Sequence, residues 1–141
     1  MAWKRFEVVE TPDKGRGLVA CRRLQPGQLV MRITGQVIDD PSYSSRYCID
    51  LGKGRSLEPD APGAFLNHSC NPNCELILGN GNKVELRAKM AINTNQELTI
   101  DYAWEAEADP HPCRCGSVKC RRYIVDATEL PKLLASLASP D

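Results

Sequence analysis

Cys113, Cys115 and Cys120 stand in the stretch PCRCGSVKCRRY as C-x-C-x4-C. Two thiolates one residue apart can grip one ion if the chain turns sharply after them, and Gly116 gives that freedom. A structural zinc site is nearly always four-coordinate, so three thiolates leave one position to fill. Cys70, Cys74, His68 and His111 are the candidates. Cys70 is favoured because it stands just before the Asn71-Pro72 turn, where its side chain can point out toward a docked tail. Zinc would then pin a short segment that has no core of its own. A set of ordinary reduced thiols is the blander reading, and a third cysteine within one loop of a C-x-C pair argues against it.

Three other groups of residues could do chemistry. FLNHSCNPNC, residues 65–74, puts Asn67-His68 after an apolar approach and before two cysteines. A nucleophilic cysteine needs an activating base, but His68 is two residues from Cys70 in a turn, and His111 lies beside the cysteine tail. An open catalytic zinc is disfavoured because the tail is all-thiolate. DKGRGLVA holds Gly15-Arg16-Gly17 just before a strand. It lacks the third glycine and the strand-to-helix setting of a dinucleotide site, although such a turn lets backbone groups approach a ligand's amine or carboxylate. ELTIDY ends in Tyr102, which taken alone reads as half-buried packing.

The elements that must position these residues read mostly as short strands. FEVVE alternates, and GLVAC and QLVMRI are apolar runs around the Pro26-Gly27 turn. CELIL and KVELRA flank GNGN as a hairpin. QELTIDY predicts a strand with Leu98, Ile100 and Tyr102 on one face and Thr99 and Asp101 on the other. Residues 52–63 are punctuated by glycine and proline and predict loops with at most one helical turn, and DPHPC reads as a short linker. One helix is expected, from about Thr128 to Leu137, capped by Thr128, with Pro131 in its first turn and a stripe of Leu130, Leu133, Leu134 and Leu137. Cys21 and Cys48 sit in apolar patterns and read as core thiols.

With 141 residues the chain reads as one domain. Its 18 basic and 18 acidic residues cancel, which argues against broad nucleic-acid binding. Arg114, Lys119, Arg121 and Arg122 read as a solvated edge. No run approaches the ~18 apolar residues of a membrane span, and the N-terminus lacks a signal-peptide core. The expectation is a soluble intracellular protein, and seven cysteines in a reducing compartment favour metal ligands over disulfides.

The order of the four motifs, with a G-x-G turn, then FLNHSCNPNC, then ELTIDY, then the C-x-C-x4-C tail, resembles the SET-domain family of protein lysine methyltransferases, from about Glu7 to about Val125. The resemblance implies a mostly β fold of several small sheets with a pseudoknot, a zinc-stabilised tail and a short C-terminal helix. It implies a SET domain over 1–109, a post-SET zinc segment over 110–126 and a helix or tail over 127–141. The implied activity is S-adenosylmethionine-dependent methylation of a lysine ε-amine in a protein, a histone tail by default. A module that keeps the fold but only binds a lysine-bearing peptide or partner is the alternative.

By the same resemblance, Gly15, Arg16 and Gly17 cradle the cofactor's amino-acid end, Asn67 bonds its methionine part, and His68 meets the adenine largely through its backbone. Tyr123 and Ile124 pack on the adenine. Tyr102 is the catalytic tyrosine and also borders the cofactor, Tyr47 is a channel aromatic with Tyr43 a weaker one, and Ile100 influences how many methyl groups are added. Cys70, Cys113, Cys115 and Cys120 bind one structural zinc, while Cys74 has no assigned role and Trp104 lines the site. Ile100 replaces the usual Phe or Tyr, which leans toward di- or trimethylation, and Ala64 replaces a common Arg. With no room for a pre-SET region, such a module would need a homodimer or an accessory partner to order its substrate groove. The implied location is the nucleus and chromatin in a eukaryote, and the cytoplasm or a secreted effector role in a bacterium.

Overall fold

The computed structural model describes residues 4–12, 14–104 and 110–138. In chain order the strands are β1 (Phe6–Glu10), β2 (Arg16–Ala20), β3 (Leu29–Arg32), β4 (Gly35–Asp39), β5 (Ile49–Gly52) and β6 (Arg55–Pro59). A 3-10 turn, Gly63–Phe65, leads to β7 (Asn67–His68), β8 (Cys74–Leu78), β9 (Val84–Ala88) and β10 (Glu97–Ile100), and the helix α1 spans Leu130–Ala138. Among the described residues no helix is long and apolar enough to cross a membrane.

Among the described residues the strands form three small sheets, in the orders β1-β2-β10-β7, β3-β9-β8 and β4-β6-β5. Strands this short cannot bury a face alone, so the sheets pack around one core that includes Leu18, Leu24, Leu86, Ile92 and Leu98, all fully buried. The GNGN hairpin forms as expected, Cys74↔Ala88 to Leu78↔Val84. β7 pairs parallel with β10, Thr99↔Asn67 and Ile100↔His68, which sets the Asn-His stretch directly beside the strand leading to Tyr102.

Five expectations need correction. Residues 52–63 are not mainly loop: β6 pairs along its length with β4, Gly35↔Pro59 to Asp39↔Arg55, and also with β5. The glycines that looked like loop signals make a tight turn, with Gly52 at φ 84° and Gly54 at φ 74°. β10 stops at Ile100, and Leu98, Thr99 and Ile100 are all buried because neighbours cover both faces, so the two-faced strand is not seen. The helix starts at Leu130, so Thr128 does not cap it but stands in the turn before it, where the Asp126 carboxylate accepts from the Thr128 amide (2.8 Å) and hydroxyl (2.6 Å). Of the leucine stripe only Leu133 is buried, with Leu134 50% and Leu137 45% exposed. Finally, Cys21 and Cys48 are half-buried, the former with its thiol against Glu7, and Cys74 is the core thiol. Burial pushes the Cys74 thiol up to about 12, which makes it inert. The division at Asp109 lies outside the described residues.

Candidate active site

The glycine turn opens with Gly15 at φ 71° and is closed by the Thr11 hydroxyl and amide, both donating to the Gly15 carbonyl. Gly17 is needed for close approach rather than for its dihedrals. A Cβ there would sit 2.9 Å from Asn67 Nδ2, Glu97 Oε2 and Thr11 Cγ2. Asn67 uses that space. Its Nδ2 donates to the Arg16 carbonyl (3.1 Å) and to Glu97 Oε2 (3.0 Å), and Lys14 Nζ meets the other Glu97 oxygen at 2.6 Å. With Nδ2 spent on protein partners, Asn67 keeps its carbonyl oxygen as a free acceptor for a ligand's donor. The Arg16 side chain is not part of this arrangement, since its guanidinium lies toward Glu10 and over the Phe65 ring.

The polar run after His68 also has a structural reason. Asn73 is 5% exposed, and its amide donates to the Glu97 carbonyl (2.8 Å) and accepts from the Thr99 amide (3.0 Å). It thereby pins the loop of the second cysteine to the edge of β10, satisfying backbone groups that would otherwise be buried unpaired.

His68 is buried beside Tyr102, with ring centroids 5.4 Å apart. Burial chiefly pushes its pKa down to about 4, against the opposing field of Asp101, so the ring is neutral near pH 7. Tyr102 lies just past β10, and its hydroxyl donates to the Leu66 carbonyl. Burial, with smaller contributions from Tyr47 and Glu97, holds this phenol well above its ordinary pKa. Trp104 stacks at 5.4 Å from Tyr102 and meets His111 edge-on at 5.5 Å, so an aromatic row runs from His68 to the tail.

Two cavities meet at this row. One, about 170 Å³, is lined by Ile33, Leu66, Leu76 and Ile100 and by Tyr102. The other, about 330 Å³, is lined by Lys14, Asn67 and His68 from the body and by Cys113, Cys115 and Ile124 from the tail. Tyr47, Tyr102, Trp104 and Arg46 border both. A wider groove of about 940 Å³ runs along the β4–β5 and β5–β6 loops and reaches Tyr102 and Trp104.

The sulfurs of Cys70, Cys113, Cys115 and Cys120 lie within 4.8 Å of one another. Cys70 and Cys113 are 3.7 Å apart; a tetrahedral zinc with Zn–S bonds of about 2.3 Å requires an S···S separation of about 3.8 Å. The geometry therefore fits a zinc ion. Gly116 makes the required turn at φ 76°. Burial raises the Cys70 and Cys113 thiols. At Cys115 burial is outweighed by the Cys70 and Ser117 amides and by the neighbouring thiols, bringing it down to about 6. The tail is tied on further by Arg121, whose guanidinium meets Asp101 Oδ2 at 2.9 Å and the Val125 carbonyl at 2.8 Å.

Of the residues singled out in the sequence, Asn67, His68, Tyr102, Tyr47, Ile100 and Ile124 line this pair of cavities, while Gly15 and Gly17 shape the edge behind Asn67. Tyr123 borders none of the three cavities and instead bridges to Pro112. Tyr43 donates to Glu58 (2.6 Å) and lines only the outer groove. Glu97, Lys14, Asp101 and Arg121 were missed. Glu97 was readable in principle, as an acid on the strand that leads to Tyr102, but an acid at a strand start looks like a solvated charge.

Among the described residues, a nearly all-β body of three small sheets, with a cluster of four cysteine sulfurs beside a cavity that a tyrosine just past a strand end also lines, defines the class. The SET domain family model matches residues 15–103, and the chain belongs to that family. A histone-lysine N-methyltransferase, H3 lysine-36 specific, of Coccidioides immitis is 30% identical over 90% of this chain and 14% of its own length. Arabidopsis thaliana histone-lysine N-methyltransferase ASHH3 is 26% identical over 96% of this chain and 42% of its own length. This chain thus spans only a minor part of these relatives. A crystal structure of KRYPTONITE in complex with mCHH DNA, an H3(1-15) peptide and SAH shares the fold, with a TM-score of 0.74 and 22% identity over 84% of this chain and 29% of that one.

Proposed function

We propose that this chain transfers methyl groups from S-adenosylmethionine to the ε-amine of a lysine in a protein tail, a histone tail first of all. The observation that carries this reading is the meeting of two cavities at Tyr102, one polar at its Asn67 end and one lined largely by apolar side chains. The cofactor would occupy the larger cavity, with its amine on the Asn67 oxygen, its adenine near His68 and Ile124, and the Gly15–Gly17 turn behind. When bound, it supplies a methyl carbon made electrophilic by the adjoining sulfonium.

The protein's contribution is alignment, desolvation and polar contact. The lysine stem would enter from the outer groove past Tyr47 and Trp104, whose rings suit a cation on an apolar stem. A free lysine is mostly protonated at neutral pH, with a pKa near ~10.4. Burial beside Tyr102 and the adjacent positive charge would favour the neutral amine. Tyr102 remains a neutral phenol, and because its proton goes to the Leu66 carbonyl, its oxygen keeps lone pairs for the amine or the polarised methyl group. It therefore orients, and does not act as a base. Ile100, smaller than an aromatic ring and without a hydroxyl to hold water, leaves room for a second and third methyl group. The four thiolates would hold zinc and keep the tail half of the cofactor cavity in place.

The names of the relatives make histone H3, and its lysine 36, the first substrate to test, with chromatin as the place of action. A second copy or an accessory partner would order the outer groove. The test is mass spectrometry of recombinant nucleosomes and H3 peptides incubated with the zinc-loaded protein and deuterated cofactor. Methyl groups should appear on one lysine. Tyr102→Phe should lower turnover by roughly 10²–10³-fold with little change in cofactor affinity. Equal, negligible turnover in both proteins would remove the enzymatic reading.

A further inference from the structure

Among the described residues, His68 has a geometry that the cofactor role does not use. Its side chain is 2% exposed, and each ring nitrogen faces a different part of the molecule. Nδ1 lies 3.0 Å from the Tyr102 backbone nitrogen, and Nε2 lies 3.4 Å from Cys70 Sγ. A backbone N–H can only donate, so Nδ1 accepts and carries no proton. The neutral ring then has its proton on Nε2, aimed at the sulfur.

Both ends of this bridge matter. β10 ends at Ile100, so the Tyr102 amide lies past the last ladder pair of its strand, and the imidazole takes the place of a ladder partner. At the other end the Cys70 sulfur accepts from two N–H groups, His68 Nε2 and the Arg121 amide at 3.2 Å. Arg121 in turn holds Asp101, the residue before Tyr102. The backbone that carries the ring is held, because His68 is paired in β7 with Ile100 of β10. N–H donors to a metal-bound thiolate stabilise its charge and set its orientation.

We propose that His68 is a positioning residue that couples the thiolate cluster to Tyr102, so that filling the cluster with zinc fixes the tyrosine backbone. This rests on the reading of the four cysteines as a zinc site and of Tyr102 as the transferring tyrosine. An unordered tail then misplaces the tyrosine as well as opening the cofactor cavity.

Two substitutions separate the two ends. In His68→Asn the side-chain oxygen occupies the place of Nδ1, keeping the Tyr102 bond and losing the donor to sulfur. In His68→Gln the side-chain nitrogen occupies the place of Nε2, keeping the sulfur donor and losing the acceptor. The cobalt-substituted protein reports the first through its thiolate-to-metal charge-transfer band, and amide hydrogen exchange reports the second. His68→Asn should move the band to lower energy and leave Tyr102 exchange unresponsive to zinc removal, because the acceptor is kept while the link to the cluster is lost. His68→Gln should keep the band and speed Tyr102 exchange about tenfold or more, the scale expected for one lost buried partner. In the wild-type protein, removing zinc with a chelator should speed Tyr102 exchange by a similar factor while Leu86 stays protected. Unchanged Tyr102 exchange after zinc removal would overturn the coupling, even if both variants failed to fold. So would two folded variants that move both readouts alike. None of these readouts requires turnover, so a catalytically inactive protein would still pass or fail the test.

Discussion

The body and the tail of this molecule are held together by different physics, yet each supplies half of one cavity. Residues 6–100 close three sheets over a core of fully buried leucines, isoleucine and valines. The tail from Pro110 to Asp126 has Val125 as its only buried side chain among the described residues, and otherwise relies on four sulfurs, the Arg121–Asp101 pair and a few backbone bonds such as Cys113 to Arg122 at 2.8 Å. Hydrophobic burial grows with area and needs many residues. A metal cross-link needs only four ligands and is switchable. A cavity with one wall of each kind can be opened without unfolding the protein.

The largest test of that contrast is zinc removal, or Cys113→Ser. Either should melt the tail, seen as rapid exchange and protease cleavage between residues 110 and 126, while far-UV circular dichroism of the sheets persists. Loss of both together would mean that the body depends on the tail. The converse substitution is Leu98→Ala at the centre of the core. It should cost about 2–5 kcal/mol of global stability in chemical denaturation, taking body and tail down in one transition.

Gly17→Ala probes the body's wall of the cavity. The added methyl collides with Asn67 and Glu97, so cofactor affinity should fall about tenfold or more by calorimetry with zinc content unchanged. Arg121→Ala is milder. Its partly buried pair with Asp101 should be worth about 1 kcal/mol to tail docking, read as faster loss of zinc to a chelator. The smallest effect concerns pH. Tyr102 has a raised pKa, so it stays protonated through the range where an ordinary tyrosine ionises. Its protonated form is the one described above, so no loss of kcat should appear as pH rises through about 10, provided the fold holds. A fall there that Tyr102→Phe abolishes would contradict the neutral-phenol role.

The same contrast explains what could be read from the sequence. The tail was legible because thiolates at fixed spacing have little other use, and the four sulfurs do converge. The Asn67-His68 and Tyr102 motifs were legible by resemblance, and the parallel pairing of β7 with β10 brings them together. β6 was not legible, because glycines that set a hairpin turn read as breakers of structure. Glu97 and the two-ended role of His68 were not legible either. Both depend on which neighbours the chain crossing supplies, and no local period encodes that. The helix stripe misled because leucines at helical spacing mark a face without saying that anything covers it.

The most direct test of the central claim is calorimetric titration of the zinc-loaded protein with S-adenosylmethionine, repeated after zinc removal and with Asn67→Ala. The expected result is saturable one-to-one binding, weakened about tenfold or more by either change, because each takes away one wall of the same cavity. Binding that ignores both changes would contradict a cofactor cavity shared by body and tail, and no binding in folded, zinc-loaded protein would contradict the methyltransferase reading itself.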